Sequence, residues 1–241
     1  MRPALNYALH PYWPVRLGFR KALKFVNPQA ADLLEKTDGL ALSTPRARIS
    51  LLRECRDVLQ RKVPGEFVEF GVHRGGTAAI LATAIIGKSN RRLHLFDRWG
   101  DLPEPTEEDG FRKEAYARAN RMDRIALLHD SLDSTKYAVE VLASLPAERV
   151  TYYQGWFNDT IGQYPGKPIA FASIDTDYYE STVPALELCE RYASRGATFF
   201  IDDFGAWPGA ERATREFIAR TKRKVHLSPT PTGQAVVAFL D

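Results

Sequence analysis

From residue 66 onward the chain alternates short apolar runs with longer stretches in which apolar residues recur every three or four positions. The runs Glu66–Phe70, Arg92–Phe96, Val150–Gln154, Ala170–Ile174 and Ala197–Ile201 are short and rich in apolar residues, as strands of a buried parallel sheet are. Between them, Ala78–Ile86 and Val183–Tyr192 gather their apolar side chains on one helical face. The C-terminal part differs. Lys224–Ser228 and Ala235–Leu240 are separated by Pro229-Thr-Pro-Thr-Gly233, a turn-rich connection short enough for an antiparallel hairpin. The pattern predicts an α/β domain with a seven-stranded, mostly parallel sheet and an antiparallel C-terminal hairpin.

Residues 1–60 follow another pattern, with prolines and aromatics first and helical spacing from Ala47 to Gln60. They are read as an N-terminal helical arm, with the main domain spanning 61–241. Tyr12–Lys24 is basic with interleaved aromatics, as membrane-surface helices are. Pro14 and Gly18 weaken such a helix, so packing on its own domain or on a second subunit, a homo-oligomer contact, is the preferred reading. The charged stretch 101–136 is long enough to serve as a lid. With 241 residues, 44% hydrophobic and 26% charged, the chain can bury one substantial core. A net charge of +3 gives no argument for nucleic acid. Two cysteines are too few for a disulfide framework, and neither a membrane-spanning run nor a secretory leader is visible, so a cytoplasmic enzyme is expected.

Chemistry is concentrated where strands end. Val68–Thr77 runs from a strand through Gly71, Gly75 and Gly76 into a helix, where a ligand can approach bare backbone and unpaired N–H groups. The spacing fits neither the dinucleotide fingerprint nor a P-loop. Glu69 can bind an ammonium or hydroxyl group or cap a turn, while His73 and Arg74 read as solvent-facing. Asp97 after the second strand is placed to grip a ribose. With Gly155 and Trp156 closing the third strand it outlines an adenosine-shaped cleft; core packing is the alternative for Trp156.

Two further runs each end in two aspartates: Asp175 and Asp177 after one, Asp202 and Asp203 after its neighbour. Four carboxylates meeting at one sheet edge repel each other unless a cation neutralises them. An oxygen-only set suits Mg²⁺, with Mn²⁺ or Ca²⁺ as substitutes, and does not suit structural Zn²⁺.

Glu69–Gly76, Tyr164–Thr182 and Ile201–Ala210 together resemble the macrocin-type O-methyltransferases, which act on sugars of macrolides and related natural products. That resemblance implies a class I methyltransferase (Rossmann-like) fold, S-adenosylmethionine as donor, Mg²⁺, and a small, glycosylated acceptor from antibiotic biosynthesis. It implies Asp175, Asp202 and Asp203 as metal ligands and Asp177 as general base. Glu69, Gly71, Asp97, Ser131 and Gly155 would line the donor site, with a contribution from Thr44. The chain departs from the family at Arg98-Trp-Gly-Asp-Leu-Pro103, at Phe204 where the family often has Tyr, and across 111–130. Rival readings are a metal-dependent catechol or phenol methyltransferase, a metal-dependent hydrolase or lyase, and a donor-binding module without turnover.

Overall fold

The computed structural model describes residues 28–100, 103–111, 113 and 131–241. The Tyr12–Lys24 segment and most of the stretch 112–130 lie outside the described residues. Seven strands form one sheet: β1 (Glu66–Phe70), β2 (Leu93–Asp97), β3 (Val150–Gln154), β4 (Ile169–Ile174), β5 (Ala193–Ile201), β6 (Val225–Pro229) and β7 (Ala235–Phe239). Their order is β3-β2-β1-β4-β5-β7-β6. The first five are parallel, and β7 runs antiparallel to both of its neighbours, which is the architecture the hydrophobic pattern predicts. The winding reverses between β1 and β4, and in open α/β sheets ligands bind outside the carboxyl ends of the strands at that reversal.

Helices α1 (Pro28–Lys36), α2 (Pro45–Gln60) and α3 (Gly76–Ile85) lead into the sheet, followed by the short α4 (Leu132–Lys136) and α5 (Phe157–Thr160). Helices α6 (Tyr179–Tyr192) and α7 (Pro208–Arg220) complete the chain's helical set among the described residues. Alternate strand residues supply two cores. Phe67, Leu93, Leu95, Phe171 and Phe200 pack with α2 and α3 on one face. Val68, Phe70, Phe96, Ile174, Phe199 and Ile201 pack with α6 and α7 on the other. Nine of the ten residues of α3 are buried, so this helix is apolar all round rather than on one stripe.

The described part of the arm is built into the first core through Leu51, Leu52, Cys55 and Val58 of α2. Arg48 of the same helix is buried, and its guanidinium donates to Thr37 Oγ1 at 3.0 Å and to Asp38 Oδ1 at 3.4 Å. A buried Arg held this way fixes the turn 37–41 against the domain. That turn matters for the site, because the Gly76 N–H donates to the Leu40 carbonyl at 3.1 Å.

Most boundaries agree with the sequence reading to within two residues, and two shift by four for physical reasons. Strand β5 starts at Ala193 rather than Ala197; polar Ser194 and Arg195 interrupt the apolar run, and the pairing with β4 is irregular there. Helix α6 starts at Tyr179 rather than Val183 because its first turn is polar and carries no apolar period, and the helix accommodates Pro184 inside it.

Candidate active site

The carboxyl ends of five adjacent strands are joined by one row of backbone hydrogen bonds. The Gly155 N–H donates to the Asp97 carbonyl and the Gly71 N–H to the Phe96 carbonyl, both at 3.0 Å; the Asp175 N–H donates to the Phe70 carbonyl and the Asp202 N–H to the Ile174 carbonyl, both at 2.9 Å. Gly71, Asp97, Gly155, Asp175 and Asp202 therefore share one edge at and beside the point where the winding reverses.

On the β1–β3 side, the loop after β1 is held by Asp97. Its Oδ2 accepts the Val72 N–H at 2.5 Å and the His73 N–H at 2.8 Å, and its Oδ1 accepts the Trp99 N–H at 2.7 Å. Burial pushes this carboxyl above its usual range, while those backbone donors pull it back. The Arg98 N–H also acts on this carboxylate, so it is surrounded by backbone donors of its own loops. Asp97 organises the glycine loop as well as facing the cleft. At Gly71, φ is +77° and an added Cβ would lie 1.6 Å from the Asp175 carbonyl oxygen, so no side chain fits.

Glu69 is fully buried in β1; the Thr77 hydroxyl lies near its carboxylate, but neither oxygen makes a hydrogen bond of good geometry. Burial pushes its carboxyl up to about 8; the Thr77 hydroxyl opposes this, and the charges of Asp97 and Asp202 add to it. A buried acid without a good partner is costly and marks a place where a cationic or hydrogen-bonding ligand group is needed. His73 is half-buried at φ +53° and burial, then Arg74, hold its imidazole down at about 4, so it is neutral near pH 7.

Ser131 caps α4, its hydroxyl accepting the Ser134 N–H at 3.3 Å. Helix α4 lies against the glycine loop, since a Cβ at Gly75 would sit 2.8 Å from the Thr135 Cα. Trp156 is 45% exposed, not part of the core, and the Arg98 guanidinium lies 4.4 Å over its ring. Next to it Trp99 turns inward at φ +48°; its indole N–H donates to the Thr135 hydroxyl, which donates to the His73 carbonyl, both at 3.0 Å. The departure from the family at residues 98–100 is thus absorbed by a cation–π stack and a buried indole. The sequence carried no signal for this network, because Thr135 is 36 residues from Trp99. Thr44, for its part, caps α2 by accepting the Ala47 N–H at 3.2 Å.

On the β4–β5 side, carboxylate oxygens of Asp175, Asp177 and Asp203 lie within 4.8 Å of one another, close enough to share one ion. Asp177 sits in the left-handed region, φ +59°, and its N–H donates to Asp203 Oδ2 at 3.0 Å. Burial first, then the charges of Asp202, Asp203 and Asp177, push the Asp175 carboxyl well above its ordinary range. Asp202 is raised to about 7 by burial and by Asp203. All four aspartates thus form one electrostatic unit, but the tight trio contains Asp177 where the sequence reading placed Asp202. The oxygen-only donor set fits a hard divalent cation, which neutralises the repulsion recorded in these shifts.

A seven-stranded 3-2-1-4-5-7-6 sheet with a glycine loop after β1 and an acidic edge at β4 and β5 defines a class I methyltransferase fold. The solved O-methyltransferase NovP has this fold: TM-score 0.71 at 22% identity, covering 83% of this chain and 81% of that one. So does the calicheamicin methyltransferase CalS11, with TM-score 0.68 at 22% identity over 96% and 94% of the two chains. The macrocin O-methyltransferase (TylF) family pattern matches residues 37–232, and the chain belongs to that family. Demethyldecarbamoylnovobiocin O-methyltransferase of Streptomyces niveus is 31% identical over 72% of this chain and 66% of its own length. Mycinamicin III 3''-O-methyltransferase of Micromonospora griseorubida is 28% identical over 70% and 67%. The chain therefore spans about two thirds of the length of these curated relatives.

Proposed function

We propose that the chain transfers a methyl group from S-adenosylmethionine to a sugar hydroxyl of a glycosylated natural product or related small molecule, with Mg²⁺ bound, or Mn²⁺ or Ca²⁺ in its place. The observation that carries this reading is the meeting of Asp175, Asp177 and Asp203 within 4.8 Å at the sheet edge that also holds the buried Glu69. The names of the relatives, including a Streptomyces olivaceus 4'-O-methyltransferase acting on a rhamnosyl tetracenomycin, support a glycosylated acceptor. When bound, S-adenosylmethionine supplies an electrophilic methyl group, and a divalent ion supplies the Lewis acidity that loosens a hydroxyl proton.

The chain's own residues do the rest. Glu69 takes the donor's ammonium group. Gly71 and Gly155 admit it close to the backbone, Asp97 takes a ribose hydroxyl, and Ser131 and Trp156 frame the cleft. Asp175 and Asp203 of the tight trio would hold the ion, with the Asp202 carboxylate beside them as a further ligand. Asp177 accepts the proton of the acceptor hydroxyl, a role that requires a carboxylate within a few ångströms of the ligand oxygens without being one of them. On this reading residues 1–60 are an arm available for contact with a second copy, and 61–241 are the methyltransferase domain with a lid around 101–136. No helix among the described residues is long and apolar enough to cross a membrane. The two buried, unpaired cysteines support a cytoplasmic setting.

Label transfer from methyl-labelled S-adenosylmethionine to a rhamnosyl glycoside and to catechol tests the reading. Transfer to the glycoside is expected. Preference for catechol would overturn the sugar assignment, and donor binding without transfer to either would overturn the activity.

A further inference from the structure

We infer that Asp109 is a positioning residue that fastens the two aspartate-bearing loops to each other, an inference that rests on the metal-dependent reading above. Asp109 closes a short 3₁₀ turn, Glu107–Asp109, in the segment that follows β2, and it is fully buried although its neighbours Glu107, Glu108 and Phe111 are charged or exposed. A buried carboxylate needs partners. Its Oδ2 accepts the Thr106 N–H at 2.8 Å, closing a capping box within its own segment. Its Oδ1 leaves the segment and accepts the Tyr179 N–H, the first of α6, at 2.9 Å. This places a negative charge at the positive end of a 14-residue helix, where it is favoured.

The position of that helix end gives the contact its consequence. Tyr179 stands two residues after Asp177, whose left-handed backbone persists only when its surroundings hold it. The loop is pinned on one side where the Asp175 N–H donates to the Phe70 carbonyl. Asp109 pins it on the other side. The same carboxylate also packs against the start of the helix that follows β5. Gly209, in the first turn of α7, approaches so closely that an added Cβ would lie 2.1 Å from Asp109 Oδ1 and 2.6 Å from the Tyr179 N. One buried oxygen thus sits between the helix that follows Asp175 and Asp177 and the helix that follows Asp202 and Asp203. The exposed Arg212 pairs with Glu108 and lies 5.2 Å over the Tyr179 ring, lining the junction without replacing it.

The test uses the full chain, Mn²⁺ alone as the metal probe and S-adenosylhomocysteine as the donor-site probe, each titrated by calorimetry. Asp109→Ala is expected to weaken Mn²⁺ binding by about tenfold or more, the effect typical of losing a residue that orients metal ligands, with the S-adenosylhomocysteine affinity unchanged within about twofold. Asp109→Asn keeps an acceptor for Tyr179 and is expected to restore most of the Mn²⁺ affinity. Gly209→Ala wedges the junction while leaving every charge in place, and is expected to reproduce the selective Mn²⁺ loss even where Asp109→Ala does not fold. A residue that only stabilises the fold would lower the melting temperature and both affinities together. That outcome, or Mn²⁺ binding by folded Asp109→Ala and Gly209→Ala equal to wild type, overturns the inference alone. Absence of Mn²⁺ binding by the wild-type chain overturns the metal reading and this inference with it.

Discussion

At the β2 end of the site, Asp97 commits three lone pairs to backbone N–H groups of its own fold. At the β4–β5 end, Asp175, Asp177 and Asp203 turn oxygens toward one another, and the charges that raise Asp175 all come from other aspartates. The first region is complete as it stands: the carboxylate has an internal job and the loop it organises is ready for a ligand. On the proposed reading the second is completed by a cation, which would offset the mutual repulsion of these carboxylates. Glu69 lies between the two kinds. It stands on β1 beside both, and burial raises its carboxyl as it raises that of Asp175. On the proposed reading, the comparison teaches that donor and metal recognition are built by separate means and can be broken separately.

The largest break is expected at Asp177. Asp177→Asn should lower turnover by about 10² to 10⁴, the usual reach of general base catalysis, while affinities for donor and ion change little. Steady-state rates at increasing Mg²⁺ check it. If excess Mg²⁺ restores the rate, Asp177 is a ligand, as its place in the tight trio would then signify, and His73 and Glu180 become the candidates for the base. A smaller and different effect is expected at Asp203. Asp203→Asn should weaken the ion by about tenfold or more, and raised Mg²⁺ should recover part of the rate. Asp202→Asn should behave in the same way.

The effect at Glu69 appears in stability rather than in rate or metal affinity. Its folded carboxyl titrates near 8 against 4.5 for an exposed one, so between those values the folded chain holds a proton that the unfolded chain has released. This group's contribution is therefore fully present below about pH 4.5 and is lost as pH rises through about 8. Denaturant unfolding of the ligand-free chain at several pH values should show Glu69→Gln flattening that decline. Parallel pH dependence of the two proteins would place the Glu69 charge in a solvated setting.

Much of this layout was legible in the sequence, because strand ends announce themselves. Apolar runs stop at Phe70, Ile174 and Ile201, and the residues that follow are the glycines and aspartates that share the edge. Asp97 was visible as the acid that ends the second strand, but its hold on Val72 and His73 was not, since a hydrogen bond across 25 residues leaves no local pattern. Asp109 was hidden for the opposite reason. It stands in a run of acidic residues, Glu107-Glu108-Asp109, that reads as a solvated surface, and only burial distinguishes it from its neighbours. Arg48 in α2 likewise reads as one more charge on an amphipathic helix until its burial against Thr37 and Asp38 is seen.

The separation of the two regions is tested most directly by one paired measurement on the wild-type chain: calorimetric binding of S-adenosylhomocysteine and methyl transfer to a rhamnosyl glycoside, each with and without excess chelator. Donor-site binding is expected to be the same in both conditions, and transfer is expected only where Mg²⁺ is free. Full transfer in excess chelator would contradict the account, leaving the acidic edge without a role in the reaction.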